Sequence, residues 1–102
     1  MTEWIEICAL EEIPRQGTRK VKSGDAHIAL FRTQEDEIFA LADRCPHKGG
    51  PLSEGMVCGK HVTCALHSWN IGLADGKAAA PDVGETPTYP VKVDAGVVFI
   101  QL

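Results

Sequence analysis

No apolar run in this 102-residue chain approaches the roughly 20 residues that a membrane-spanning helix requires. No stretch carries a long helical period of apolar residues either, so extended amphipathic helices are not expected. Basic residues are outnumbered: ten Lys plus Arg against fourteen Asp plus Glu give a formal charge of −4. That balance argues against nucleic acid or an anionic membrane as the main partner. The opening Met1-Thr2-Glu3-Trp4 has neither the charged nor the apolar region of a secretory signal, which leads to the expectation of a cytoplasmic location. Glycine-rich dinucleotide fingerprints, internal repeats and low-complexity tracts are also missing. The chain is therefore not expected to catalyse a reaction by itself. In a reducing compartment, its four cysteines read better as metal ligands plus bystanders than as a disulfide framework.

What is present is a series of short strands separated by turn residues, in a chain sized for one domain over residues 1–102. Trp4–Ala9 alternates apolar and polar residues, as a half-buried strand does. Thr18–Lys22, His27–Arg32 and Ile38–Ala42 follow, broken by Ser23-Gly24-Asp25 and by the acidic stretch Gln34–Glu37, and read as an antiparallel meander. Tyr89–Val93 and Val97–Gln101 form a final hairpin about Asp94-Ala95-Gly96, and Leu10–Ile13 allows one helical turn. The flanking charges, Arg15, Arg19, Lys20 and Lys22 against Glu35, Asp36 and Glu37, read as a solvated hairpin surface. The fold class expected is all-β.

Between these strands, residues 44–76 differ in kind, being rich in Gly and Pro, and they read as a small inserted subdomain with strands at Met56–Val57, His61–Cys64 and Trp69–Leu73. Residues 77–87 read as an irregular return loop. The inserted segment holds two cysteine–histidine couples, Cys45-Pro46-His47 and Cys64-Ala65-Leu66-His67, with sixteen residues between them. Each couple can offer a thiolate to one iron of a [2Fe–2S] cluster and an imidazole to the other. Two such loops would complete a Rieske centre, with Cys45 and Cys64 on the inner iron and His47 and His67 on the outer. Neutral imidazoles in place of two thiolates raise the potential to roughly −150 to +300 mV, against about −400 mV for plant-type ferredoxins. Gly49 and Gly50 suit a backbone that must donate N–H groups to sulfur, and Pro46 stiffens the first loop. Two Cys and two His can also hold one tetrahedral zinc, although zinc sites more often group Cys with Cys and His with His. Alternation within both couples favours the cluster.

The run from Cys45 to Gly55 (Cys-Pro-His-Lys-Gly-Gly-Pro-Leu-Ser-Glu-Gly), with Val62-Thr-Cys-Ala-Leu-His-Ser-Trp69, resembles the Rieske-type ferredoxin family. The resemblance implies stacked antiparallel sheets with one [2Fe–2S] cluster at the tip of a small cluster-binding subdomain. In the quinol-oxidising branch an added cysteine in each loop forms a bracing disulfide; Gly50 and Leu66 stand at those positions here. The same branch directs serine and tyrosine hydroxyls at the cluster sulfurs, where this chain has Trp69 and Ile71. Fewer hydrogen bonds to sulfur imply a potential low in the Rieske range.

A narrower similarity is to the small subunit of assimilatory NAD(P)H-dependent nitrite reductase, carried by Pro46–Gly55, Leu66-His67-Ser68-Trp69 and Tyr89-Pro90-Val91-Lys92-Val93. It implies an accessory or electron-transfer role beside a large catalytic subunit holding flavin, sirohaem and a [4Fe–4S] cluster. The alternative is a free-standing ferredoxin feeding an aromatic-ring oxygenase, although such ferredoxins tend to continue His-Gly-x-x-Phe where this chain has His67-Ser68-Trp69-Asn70-Ile71. Lys48, beside an outer ligand, could favour the reduced cluster or dock an acidic partner, and serves equally as a solvated lysine. Leu52, Leu66 and Trp69 are expected to exclude water from the centre. Cys8 and Cys58 are expected to be packing residues, and His27 and His61 structural rather than ligating.

Overall fold

The computed structural model describes residues 4–24, 26–45, 50–64, 69–79 and 84–101. It is all-β, with ten strands in three antiparallel sheets and two single 3-10 turns among the described residues. Strand β1 (Trp4–Ala9) pairs with β10 (Val97–Gln101), which also pairs with β9 (Val91–Asp94). The second sheet has the order β2 (Gly17–Ser23), β3 (Ala26–Arg32), β4 (Ile38–Ala42), β8 (Thr88–Tyr89). The third is a meander of β5 (Met56–Cys58), β6 (His61–Thr63) and β7 (Asn70–Gly72). The expected meander over β2–β4 and the helical turn, seen at Leu10–Glu12, are both present.

Side chains on a strand alternate between faces, and β3 is apolar on both of its faces. Ile28, Ala29, Leu30 and Phe31 are all fully buried. Ile28 and Leu30 join a core with Ile13, Ala40, Val98 and Ile100, beneath the β1-β10-β9 sheet. Ala29 and Phe31 point the other way, into a core with Leu41, Leu52, Val57, Val62 and Ile71. Strand β4 divides in the same manner, Ala40 to the first core and Leu41 to the second. The four-stranded sheet is thus the middle layer, and the β5-β6-β7 sheet covers its second face.

The structure departs from the expected strand at Tyr89–Val93, which it divides at Pro90. Thr88 and Tyr89 pair with Leu41 and Ala40 of β4, whereas Val91–Asp94 crosses to the terminal sheet. Proline has no N–H to continue a ladder, so the chain changes sheets there. Strand β1 departs from regular alternation through a register shift between Glu6 and Cys8, which leaves Cys8 as its one buried residue.

Charges tie the middle sheet to the third sheet as well as solvating it. Lys20 Nζ lies 3.0 Å from Glu54 Oε1, and Lys60 Nζ lies 3.7 Å from Glu37 Oε1. Arg15 and Arg32 both reach Asp36, at 3.3 and 2.8 Å. The hydrogen bond and charge of Glu54 raise the Lys20 pKa. These pairs are mostly exposed and contribute little each.

The β9–β10 hairpin turns through Ala95 and Gly96 with φ of 51° and 77°, the two positive values of a type I′ turn. A Cβ at Ala95 is strained there, and asparagine tolerates the conformation better. Ala95→Asn is expected to raise the unfolding free energy by about 0.5–1 kcal/mol, read from urea denaturation at constant m-value.

Candidate metal centre

Cys45 follows β4 across two residues, and its backbone N–H donates to the carbonyl of Gly50 at 2.6 Å. Cys64 follows β6 directly, and its N–H donates to the carbonyl of Trp69 at 2.7 Å. Both couples therefore begin a loop closed by the same reach along the chain, from a residue to the fifth one after it. His47 and His67 fall inside these intervals in sequence; with Pro46, Lys48, Gly49 and Leu66, they lie outside the described residues.

The two thiols occupy one apolar core. Cys45 and Cys64 are each 2% exposed and share the core that holds Phe31, Leu52, Val62 and Ile71, with Trp69 packed half-buried against it. Leu52, expected to exclude water from the centre, is fully buried. Ile71, also fully buried, brings no hydroxyl to this core.

The remaining cysteines are placed differently. Cys8 is buried in the other core, as expected of a small apolar residue. Its burial pushes the thiol pKa up; Glu12 adds to that rise and Arg19 opposes it. Cys58 corrects the expectation of a packing role, because it is exposed. Val57 takes the inward position of β5, so Cys58 points outward, across from His61 and beside Gly59 at φ 57°. His27 is exposed on β3 and His61 half-exposed on β6.

Two residues that sequence reasoning did not single out flank the first loop. Asp43 Oδ1 accepts the Ser53 N–H at 2.7 Å, and Oδ2 accepts the Ser53 hydroxyl at 2.8 Å. Thr18 of β2 donates its hydroxyl to the Ser53 carbonyl at 2.8 Å. The sequence signal was a carboxylate two residues before one cysteine and a serine in the turn after Pro51, a pattern common to many turns. Gly55, just beyond, backs onto β6 so closely that a Cβ there would collide with the Thr63 carbonyl.

Two thiols in one core, each at the head of a tied loop, are placed as two ligands of one bound group would be. The comparisons specify which. The family model for the Rieske [2Fe–2S] domain matches residues 3–90, and the chain belongs to that family. The bound group is accordingly a [2Fe–2S] cluster, and the chain is an electron carrier of Rieske type rather than a zinc protein.

A curated relative, the ferredoxin component of a naphthalene 1,2-dioxygenase system from Pseudomonas aeruginosa, is 36% identical over 100% of this chain and 99% of its own length. Two solved structures superpose over 100% of the chain. The NMR structure of the E. coli protein NirD does so with a TM-score of 0.87 and 25% identity, covering 98% of NirD. One described as an NADH-dependent nitrite reductase small subunit from Mycobacterium tuberculosis reaches 0.89 at 23% identity, covering 96% of that chain, and shows the shared fold. No helix among the described residues is long and apolar enough to cross a membrane.

Near neutral pH, a thiol reagent is expected to label Cys58 in the native protein and to spare Cys8 until the chain unfolds. Mass mapping of modified peptides reads the order; equal labelling of the two would contradict the burial described. A raised folded pKa also means that the Cys8 contribution to stability is intact below the ordinary thiol range and shrinks as pH rises through it.

Proposed function

We propose that Cys45 and Cys64 hold one iron and His47 and His67 the other, and that the chain is the small electron-transfer subunit of an NAD(P)H-dependent nitrite reductase. The bound cluster accepts and releases one electron at a time. The protein's part is to supply two thiolates from a buried core, to close both loops by backbone hydrogen bonds, and to exclude water with Leu52, Ile71 and Trp69. The partner is a large catalytic subunit that supplies the dinucleotide and nitrite sites this chain lacks.

The observation that carries this reading is the second loop, Cys64-Ala65-Leu66-His67-Ser68-Trp69. Trp69 serves it twice, its carbonyl closing the loop and its side chain packing on the cysteine core. A phenylalanine two positions later, the habit of ring-oxygenase ferredoxins, would fall at Ile71, in the fully buried row of β7. The likeness to NirD over the whole chain supports the same reading.

A second reading has its own support. The full-length similarity to the naphthalene dioxygenase ferredoxin is the stronger one by sequence, and it favours a ferredoxin that delivers electrons to an oxygenase.

The two readings separate in a turnover assay with purified components. The nitrite reductase reading expects this chain to copurify with a large subunit and to raise its NAD(P)H-dependent ammonium formation severalfold. Support of ring hydroxylation with no effect on nitrite reduction would establish the second reading instead. Under either, the absence of hydroxyls at Trp69 and Ile71 leaves the reduced centre less stabilised. A redox titration is expected to place the potential in the lower part of the span from roughly −150 to +300 mV; a value above about +100 mV would contradict this.

A further inference from the structure

The two loops leave the fold from unlike supports. The second joins β6 to β7, adjacent strands of one sheet, and its flanking residues Thr63 and Asn70 are already ladder partners. Their side chains also bond, Thr63 Oγ1 to Asn70 Oδ1 at 2.7 Å, at an exposed position. The first loop joins β4 to β5, strands of different sheets, so no ladder registers its two ends. Across that gap lies the Asp43–Ser53 pair, with Asp43 taking two hydrogen bonds from one residue at 2.7 and 2.8 Å.

We propose that the Asp43–Ser53 pair is the positioning brace of the first cluster loop, doing by side chains what the β6–β7 ladder does for the second. The inference rests on the reading that Cys45 and His47 ligate the cluster. Its geometry is specific at each end. The Asp43 N–H donates to the His27 carbonyl of β3 at 2.9 Å, fixing the carboxylate to the middle sheet. Ser53 is 7% exposed, and its carbonyl receives the Thr18 hydroxyl from β2. The adjacent Glu54 receives Lys20, which shares a face of β2 with Thr18. The segment after the first loop is thus held to β2 and to the end of β4 together. Cys45 N–H to the Gly50 carbonyl joins the two ends of the loop, and the brace ties the segments on either side of it.

Carboxylate hydrogen bonds in a part-buried place are among the stronger ones; Ser53→Ala removes the hydroxyl bond to Asp43 Oδ2 and keeps the backbone N–H to Oδ1. The test uses cluster-loaded protein with a ferrous chelator, following loss of visible absorbance and the visible circular dichroism of the oxidised centre. Ser53→Ala is expected to bleach about tenfold faster than the parent and to change the dichroism. Ser53→Thr, which keeps the hydroxyl, should recover most of the parental rate, and Asp43→Asn should fall between. Thr63→Ala, across the second loop, should stay within about twofold of the parent. Val98→Ala, in the other core, controls for general destabilisation: it should lower the melting temperature without altering the dichroism. The brace is overturned if Ser53→Ala and Asp43→Asn both bleach at the parental rate, or if Val98→Ala reproduces their spectra. If Ser53→Ala does not fold, Asp43→Asn and Ser53→Thr decide. A parent that retains no iron and sulfide would instead remove the ligation reading, and the brace with it.

Discussion

The structure depends on a strand with no outside face. Strand β3 buries Ile28 and Leu30 against one sheet and Ala29 and Phe31 against another, and period-two alternation allows this only if the strand lies in the middle layer. Two cores follow at once. One closes the ends of the chain together, through β1, β10 and β9. The other receives the inserted β5-β6-β7 meander and, with it, the two buried thiols. A polar substitution on either face of β3 would therefore disturb a whole layer, because burial on both sides leaves no path to water.

The cysteine core sets two thiols apart from the others. Four cysteines are spread along the chain, and only Cys45 and Cys64 share a core. Cys8 lies across the middle sheet from them, and Cys58 is turned to solvent by the alternation of a three-residue strand. The loops repeat one device, an N–H of the cysteine bonded to a carbonyl five residues on, but they stand on different foundations. One extends from a hairpin. The other bridges two sheets, and Asp43, Ser53, Thr18 and Lys20 concentrate polar contacts at that bridge.

Much of this was legible in the sequence, for identifiable reasons. Alternation and turn residues bounded β1 and β4 to the residue, and the paired Cys–His spacings singled out the two cysteines that the structure brings into one core. Local pattern could not show where partners lie. The pairing of β1 with β10 joins residues near opposite ends of the chain, and neither strand encodes the other. Tyr89–Val93 read as one strand because its composition is uniform, yet a single missing N–H at Pro90 sends its halves to different sheets. The outward face of Cys58 is not legible in sequence because a strand of three residues gives too little alternation to assign one. The Asp43–Ser53 contact was invisible because neither residue type is unusual in a turn; only the crossing between sheets gives the pair a task.

The central claim is that thiolates and imidazoles from the two loops divide the irons between them. Electron paramagnetic resonance of the dithionite-reduced protein tests it most directly. Mixed ligation localises the added electron on the histidine-bound iron and lowers the average g value below that of all-cysteine [2Fe–2S] centres. The account predicts that low-average-g signal, its loss on replacing His47 or His67, and its loss on replacing Cys45 or Cys64. A signal with the average g of all-cysteine ligation, or one unchanged by the histidine replacements, would contradict it.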